Sequence, residues 1–182
     1  MSSIRLDVSS LELYQQILLD GLRAHFGDSL ETVQAYLNEQ TADLDAGLTI
    51  NTPALILEIE RLGRVSDERG DGRDAIRCSV LVHCILGSQT PYLQIELRNF
   101  AAEVMRWLGN SSQLHPCGSV ESIDELDALP GRWKQGQTGY DSFVVMFDQV
   151  VYLGDSPLFT AAAPVQKIFY QVFTEEPEQV LP

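Results

Sequence analysis

Lysine is nearly missing from this chain. Of its 12 basic side chains, only Lys134 and Lys167 are lysines, and the rest are arginines. Against them stand 26 acids, for a formal charge of −14 over 182 residues. Such a balance repels nucleic acid and anionic membranes at long range, so sequence-specific DNA binding is not expected. The densest cationic stretch, Arg69 to Arg77, is itself interleaved with Asp67, Glu68, Asp71 and Asp74. An acidic surface does suit a wall past which DNA must slide without sticking. Cysteine is scarce as well. Cys78 and Cys84 lie six apart in an expected strand, about 20 Å along it at roughly 3.3 Å per residue. They cannot pair with each other, and with Cys117 they read as small reduced hydrophobes. No apolar run approaches the roughly 18 residues of a membrane helix. The opening MSSIRLDVSS has no apolar core or cleavage site, so no signal peptide and a cytoplasmic origin are expected.

What is present is an ordinary globular composition, 45% hydrophobic and 21% charged. One domain spanning residues 1–182 is expected. Residues 11–26 carry Leu11, Tyr14, Leu18 and Leu22 at helical spacing, widened by Ile17 and Phe26. Ser9 or Ser10 caps the start, and Gly27 the end. A weaker helix is expected over 30–37, then an acidic loop over 38–52. Pro53 opens a strand over 54–62, with Leu55, Leu57 and Ile59 on one face and Glu58 and Glu60 on the other. A charged hairpin over 65–75 leads to a central strand over 76–86, apolar on both faces. Thr90 as N-cap and Pro91 at the first position begin the clearest helix, whose stripe is Leu93, Leu97, Phe100, Ala101, Val104 and Leu108. Gly109 and Asn110 end it.

Residues 111–142 form an irregular insert with a short helix over 122–129, where Ser122 and Glu125 make a capping box. Strands over 143–153 and 165–173 close the fold, and 175–182 is an acidic tail. The expected class is α+β, in the order α-β-β-α-β-β, an antiparallel or mixed sheet with helices packed on one face.

Motifs that promise chemistry fail on their context. Gly27 to Leu30 spell GDSL, but the block follows a helix, and no histidine has an aspartate three residues before it. A serine without a base is not activated. Gly70, Gly72 and Ala75 match a dinucleotide fingerprint, yet a strand follows where a helix N-terminus is required. Asp67, Asp71 and Gly72 faintly imitate a calcium loop, with Arg69 in a ligand slot and Cys78 in place of the closing glutamate. His83 reads as a half-buried, hydrogen-bonded histidine, and Glu58 with Glu60 as a solvated or inter-subunit face. Trp107, Trp133 and Tyr140 are either interface anchors or, for Trp107, a cap on the core. No catalytic, cofactor or metal site is expected.

The stretch from Thr52 to Asn110 reads TPALILEIERL, a charged hairpin, then IRCSVLVHCILGSQTPYLQIELRNFAAEVMRWLGN. With the helix before it and the strand pair after it, the chain resembles the tail terminator family of long-tailed bacteriophages, which includes minor tail proteins. The resemblance covers most of the chain in order of elements and is sharp over those sixty or so residues. It implies a structural virion protein that caps the head-proximal end of the tail tube as a ring, commonly six-fold. Its implied partners are copies of itself, the tail tube protein, the head connector and neck proteins, and the sheath. Genome DNA would pass the channel without specific binding.

Another neck or tail-completion protein of similar fold is the alternative, and a cytosolic enzyme the alternative of another class. The expected interface residues are Asp67, Glu68, Arg69, Asp71, Arg73 and Asp74 on the hairpin, with Trp133. Exposed paired charges on a protruding loop suit neighbour recognition. Neutralising Asp71 and Arg73 together is then expected to weaken assembly and spare folding of the monomer.

Overall fold

The computed structural model describes residues 8–36, 50–66, 72–110, 118–131 and 139–154. The expected strand over 165–173 and tail over 175–182 lie outside them, as do Cys117 and His115. Within them two helices and a five-stranded mixed sheet form one α+β domain. The elements are α1 (Leu11–Phe26), β1 (Thr32–Ala35), β2 (Ala54–Arg64), β3 (Asp74–Gly87), α2 (Leu93–Asn110), β4 (Asp124–Pro130) and β5 (Tyr140–Leu153), with a short 3-10 turn over Gly27–Ser29.

The order over the described residues is therefore α-β-β-β-α-β-β, and two of its five strands, β1 and β4, were not expected. The first, β1, falls where a weak helix was expected over 30–37. β-branched Thr32 and Val33 disfavour a helix so short, and β2 offers a parallel partner, Val33 opposite Leu55. The short helix over 122–129 is also absent, because those residues contribute most of β4. Seven residues nucleate a helix poorly, while β5 presents a free ladder. Ser122 and Glu125 form no capping box there. The insert over 111–142 thus contains a strand where a short helix was expected, and β5 starts at Tyr140, within its expected loop.

The strands lie in the order β1-β2-β3-β5-β4, with β1 parallel to β2 and every other pair antiparallel. Alternation assigns the two faces of the sheet. Leu55 and Leu57 of β2, Cys78, Val80, Val82 and Cys84 of β3, and Val145, Phe147 and Val151 of β5 share one face. Both helices pack on it through Tyr14, Leu18, Leu22, Ala101, Val104 and Leu108. From Val80 to Leu86 β3 is buried on both faces, as the apolar residues on both sides of it required, with Leu81, His83 and Ile85 on the second.

Local chemistry sets the helix ends. Ser10 Oγ accepts the Leu13 N–H at 3.2 Å, and Gly27, at φ +52°, donates its N–H to the Arg23 carbonyl. The start of α2 differs from expectation. Thr90 and Pro91 lie in a turn before the helix, and Tyr92, at φ +54°, offers its carbonyl to the N–H groups of Ile95 and Glu96. A polar relay crosses the core. Tyr14 Oη donates to Gln149 Oε1 at 2.8 Å, and Gln149 Nε2 donates to the Glu121 carbonyl at 2.7 Å. This ties α1 to β5 and to the segment before β4, leaving no buried amide atom of Gln149 unmatched. Burial raises the Tyr14 hydroxyl pKa well above its ordinary value, so it stays a donor.

Candidate functional site

The hairpin that carried the expected interface leaves the sheet at Arg64 and re-enters it at Asp74, with Val65 N–H on the Ala75 carbonyl closing its base. Asp67, Glu68, Arg69 and Asp71 lie outside the described residues, and so does Trp133. Asp74 is exposed at the first position of β3. Arg73 is not an exposed charge. It is only 9% accessible, and its guanidinium donates to Ser119 Oγ at 3.2 Å and to the Gly118 carbonyl at 2.7 Å. Its Cζ sits 5.3 Å from the Tyr152 ring centroid, and Tyr152 Oη bonds Glu121 Oε1. The guanidinium fork bolts the base of the hairpin to residues 118–121 and to the end of β5. A cation this buried must have its acceptors supplied, which fixes its role as internal.

Beyond that bolt, the second face of the sheet becomes polar. Arg77 Nη1 lies 3.7 Å from Asp148 Oδ2, on adjacent β3 and β5. Two concavities meet at Asp148. One, of about 460 Å³, is lined by Arg77, Glu121 and Asp124. The other, of about 500 Å³, runs over Leu81 and Met146 between Glu60 and Arg61 of β2 and Glu125 of β4. A bulge between Ile59 and Arg61 swings Arg61 onto this face, where its Nη2 approaches Ser79 Oγ at 3.5 Å. Among the described residues no group of three His, Cys, Asp or Glu side chains is placed to hold a metal ion. This mixed, shallow, charged surface suits docking of another surface more than enclosure of a small molecule.

The remaining candidates resolve to packing roles. His83 is 2% accessible and its Nε2 lies 3.0 Å from Glu58 Oε2, so Glu58 meets this histidine across the strands. Ser29 ends the 3-10 turn after α1, and Ala75 lies inside a strand. His25 bonds Glu103 of α2 at 3.1 Å. Arg106 and His25 together hold the Glu103 carboxyl pKa below its ordinary value. Trp107 packs against the core, 6.2 Å from the His25 ring, and Tyr140 is buried beside Ile85. The thiols of Cys78 and Cys84 are buried and free. Burial first, and then Asp148, pushes Cys78 up to about 11, and burial pushes Cys84 further. Both are expected to resist a thiol reagent at pH 8 in the native protein and to react once urea unfolds it. Rapid native modification of either, located by mass spectrometry, would contradict this placement.

No protein-family model matches this chain, and no curated protein matches it.

Among the described residues no helix is long and apolar enough to cross a membrane. Sequence reasoning missed Arg61, Arg64 and the β4 acids as surface features. The signal was there: 124–130 reads DELDALP, acids set among apolar residues and closed by a proline, a pattern that fits an edge strand.

Proposed function

We propose that this chain is a structural virion protein that caps the head-proximal end of a phage tail tube. There it would end tube polymerisation and present the surface that joins head to tail. The observation that carries this reading is the arrangement around the sharpest part of the sequence. Pro53, Ala54 and Leu55 lead into a strand that pairs antiparallel with β3 across a charged hairpin. An 18-residue helix ending near Trp107 and Leu108 then lies back on that sheet beside an N-terminal helix, and an antiparallel β4–β5 pair follows. Over residues 11–110 this follows the order that the tail terminator resemblance implies, with β1 added; of the closing pair it implies over 143–173, β5 is one member and the other lies outside the described residues, while β4 stands where a short helix was expected.

The chemistry agrees with a role in docking. The buried polar groups are spent on internal ties, Arg73 to Gly118 and Ser119, Tyr14 to Gln149, His83 to Glu58. What remains outside is a surface of scattered charge. Copies joined through two different surfaces form a closed ring when the rotation between them closes. A net charge of −14 would let such a ring pass DNA without gripping it.

The test is reconstitution with the tail tube protein. Tubes grown with this protein present are expected to stop elongating, and labelled copies should sit at one end only in electron micrographs. Tubes that grow unchanged, with no label at either end, would remove the reading. Label on the connector alone would point to a neck protein that never meets the tube.

A further inference from the structure

The polar face of the sheet holds a carboxylate to which the fold gives no hydrogen-bond donor. Asp148 of β5 is only 9% accessible. The one cation beside it, Arg77, keeps 3.7 Å from Oδ2, too far for a hydrogen bond. Among the described residues no N–H or O–H donates to either oxygen. The chain treats its other paired acids differently. Glu103 is met at 2.6 Å by Arg106, and Glu58 lies 3.0 Å from the His83 ring. A carboxylate this buried needs donors, and where the fold withholds them a partner can bring them.

A second observation points the same way. Asp124 of β4 stands directly opposite Asp148 in the ladder, which places the two Cβ atoms about 5 Å apart. Like charges set opposite each other on adjacent strands repel. Asp124 Oδ1 accepts the Glu125 N–H at 3.0 Å, and its carboxylate meets no cation among the described residues. Both acids line the concavity of about 460 Å³, which joins its neighbour of about 500 Å³ at Asp148. Of the charged residues lining the two, five are acids and two, Arg61 and Arg77, are cations. Further along the strands the same face turns apolar. The next pairs are Asp127 with Met146 and Leu129 with Val144, and Leu129 is 40% accessible.

The geometry points to a docking site for an arginine carried on an extended segment of a partner protein. The guanidinium enters between Asp148 and Asp124, and its planar fork donates to both carboxylates at once, which a lysine ammonium does less well. An apolar side chain two or four residues from that arginine then lies over Met146 and Leu129, since alternate residues of an extended segment share one face. The open, elongated shape and the apolar strip favour a peptide segment over a small polycation. A second copy is disfavoured by long-range repulsion, because each carries a charge of −14. The partner is therefore a protein that presents a basic, partly apolar strand or loop. This inference goes beyond the tube-cap reading and does not rest on it.

Nuclear magnetic resonance of the full chain tests it, with the acetylated, amidated pentapeptide Leu-Ser-Arg-Ser-Leu as probe. The peptide is titrated to about 10 mM, which suits a contact of millimolar affinity. Saturating amide shifts are expected, confined to the surroundings of Asp124, Met146 and Asp148. Glutamine in place of the peptide's arginine should abolish saturation. Asp148→Asn with Asp124→Asn in the protein should do the same, with the rest of the spectrum unchanged. Asp124→Asn alone keeps the oxygen that accepts the Glu125 N–H. It should weaken binding about threefold or more, and the urea midpoint should stay level or rise as the repulsion is relieved. Failure to saturate, or equal binding by the glutamine peptide or by the doubly substituted protein, would overturn the inference. So would a lowered midpoint for Asp124→Asn, which would make the acid a structural group. Spermidine matching the peptide would assign the site to a small cation. The same shifts on concentrating the chain alone would assign it to a second copy, and either result also defeats the proposal. Tube capping is measured separately, so the failure of one reading leaves the other standing.

Discussion

Replacing Phe147 with alanine is expected to cost about 3–5 kcal/mol of folding free energy. The ring is 1% accessible, at the middle of β5, opposite Val80 on β3 and beneath both helices. Its position explains the size of the effect. The ladder to β3 is continuous on one side, and neither helix can drop into the void without giving up its own contacts. The cavity therefore stays largely open, and its lining loses dispersion contacts on top of the lost transfer energy. A domain of this class is stable by roughly 5–15 kcal/mol, so the variant should sit near the edge of folding. The melting temperature should fall by roughly 6–20 °C, at about 2–4 °C per kcal/mol for a chain of this size. Phe147→Leu should recover most of that loss. A fall of only a degree or two for the alanine variant would mean that Phe147 is not at the centre of the core.

The second large effect falls on Arg73, and it reverses what the hairpin's charge pattern led one to expect. Arg73→Ala should destabilise the folded chain by about 3 kcal/mol or more, the loss of two charge-assisted hydrogen bonds to Ser119 and Gly118. Lysine should not rescue it, because a single ammonium cannot span both acceptors as the planar fork does. The measurement is a urea midpoint for the three proteins at neutral pH. Neutralising Asp71 and Arg73 together is therefore a poor test of assembly, since any loss of association would be confounded by loss of the fold. If Arg73→Ala shifts the midpoint hardly at all, the side chain is free in solution and the original expectation of an exposed recognition charge returns.

Where a residue's environment is set by its own neighbours in sequence, the sequence alone carried the result. The three-four spacing of Tyr14, Leu18 and Leu22 determined the buried face of α1. Ser10 and Gly27 determined its ends, since caps act within one turn. Apolar residues on both faces of the stretch from Ile76 to Leu86 determined that β3 is central, and the stripe through Leu97, Ala101, Val104 and Leu108 determined which side of α2 is covered. The elements misread were the short ones. Residues 32–35 and 124–130 carry too little periodicity to decide between helix and strand. Each became a strand because a neighbouring strand, β2 or β5, had backbone groups to pair.

The same division holds for the surface. Composition determined the strong negative charge and the scarcity of cations. It was silent on which cations would be consumed internally. Arg73 and Arg64 stand nine residues apart on one hairpin and look alike in sequence. The tertiary structure buries Arg73 against residues 118–119, some forty-five positions away, and leaves Arg64 exposed at the end of β2. Only chain segments distant in sequence supply those acceptors and that cover. For this reason local pattern determined the helices and the central strand, while folding alone decided which charges remain for a partner.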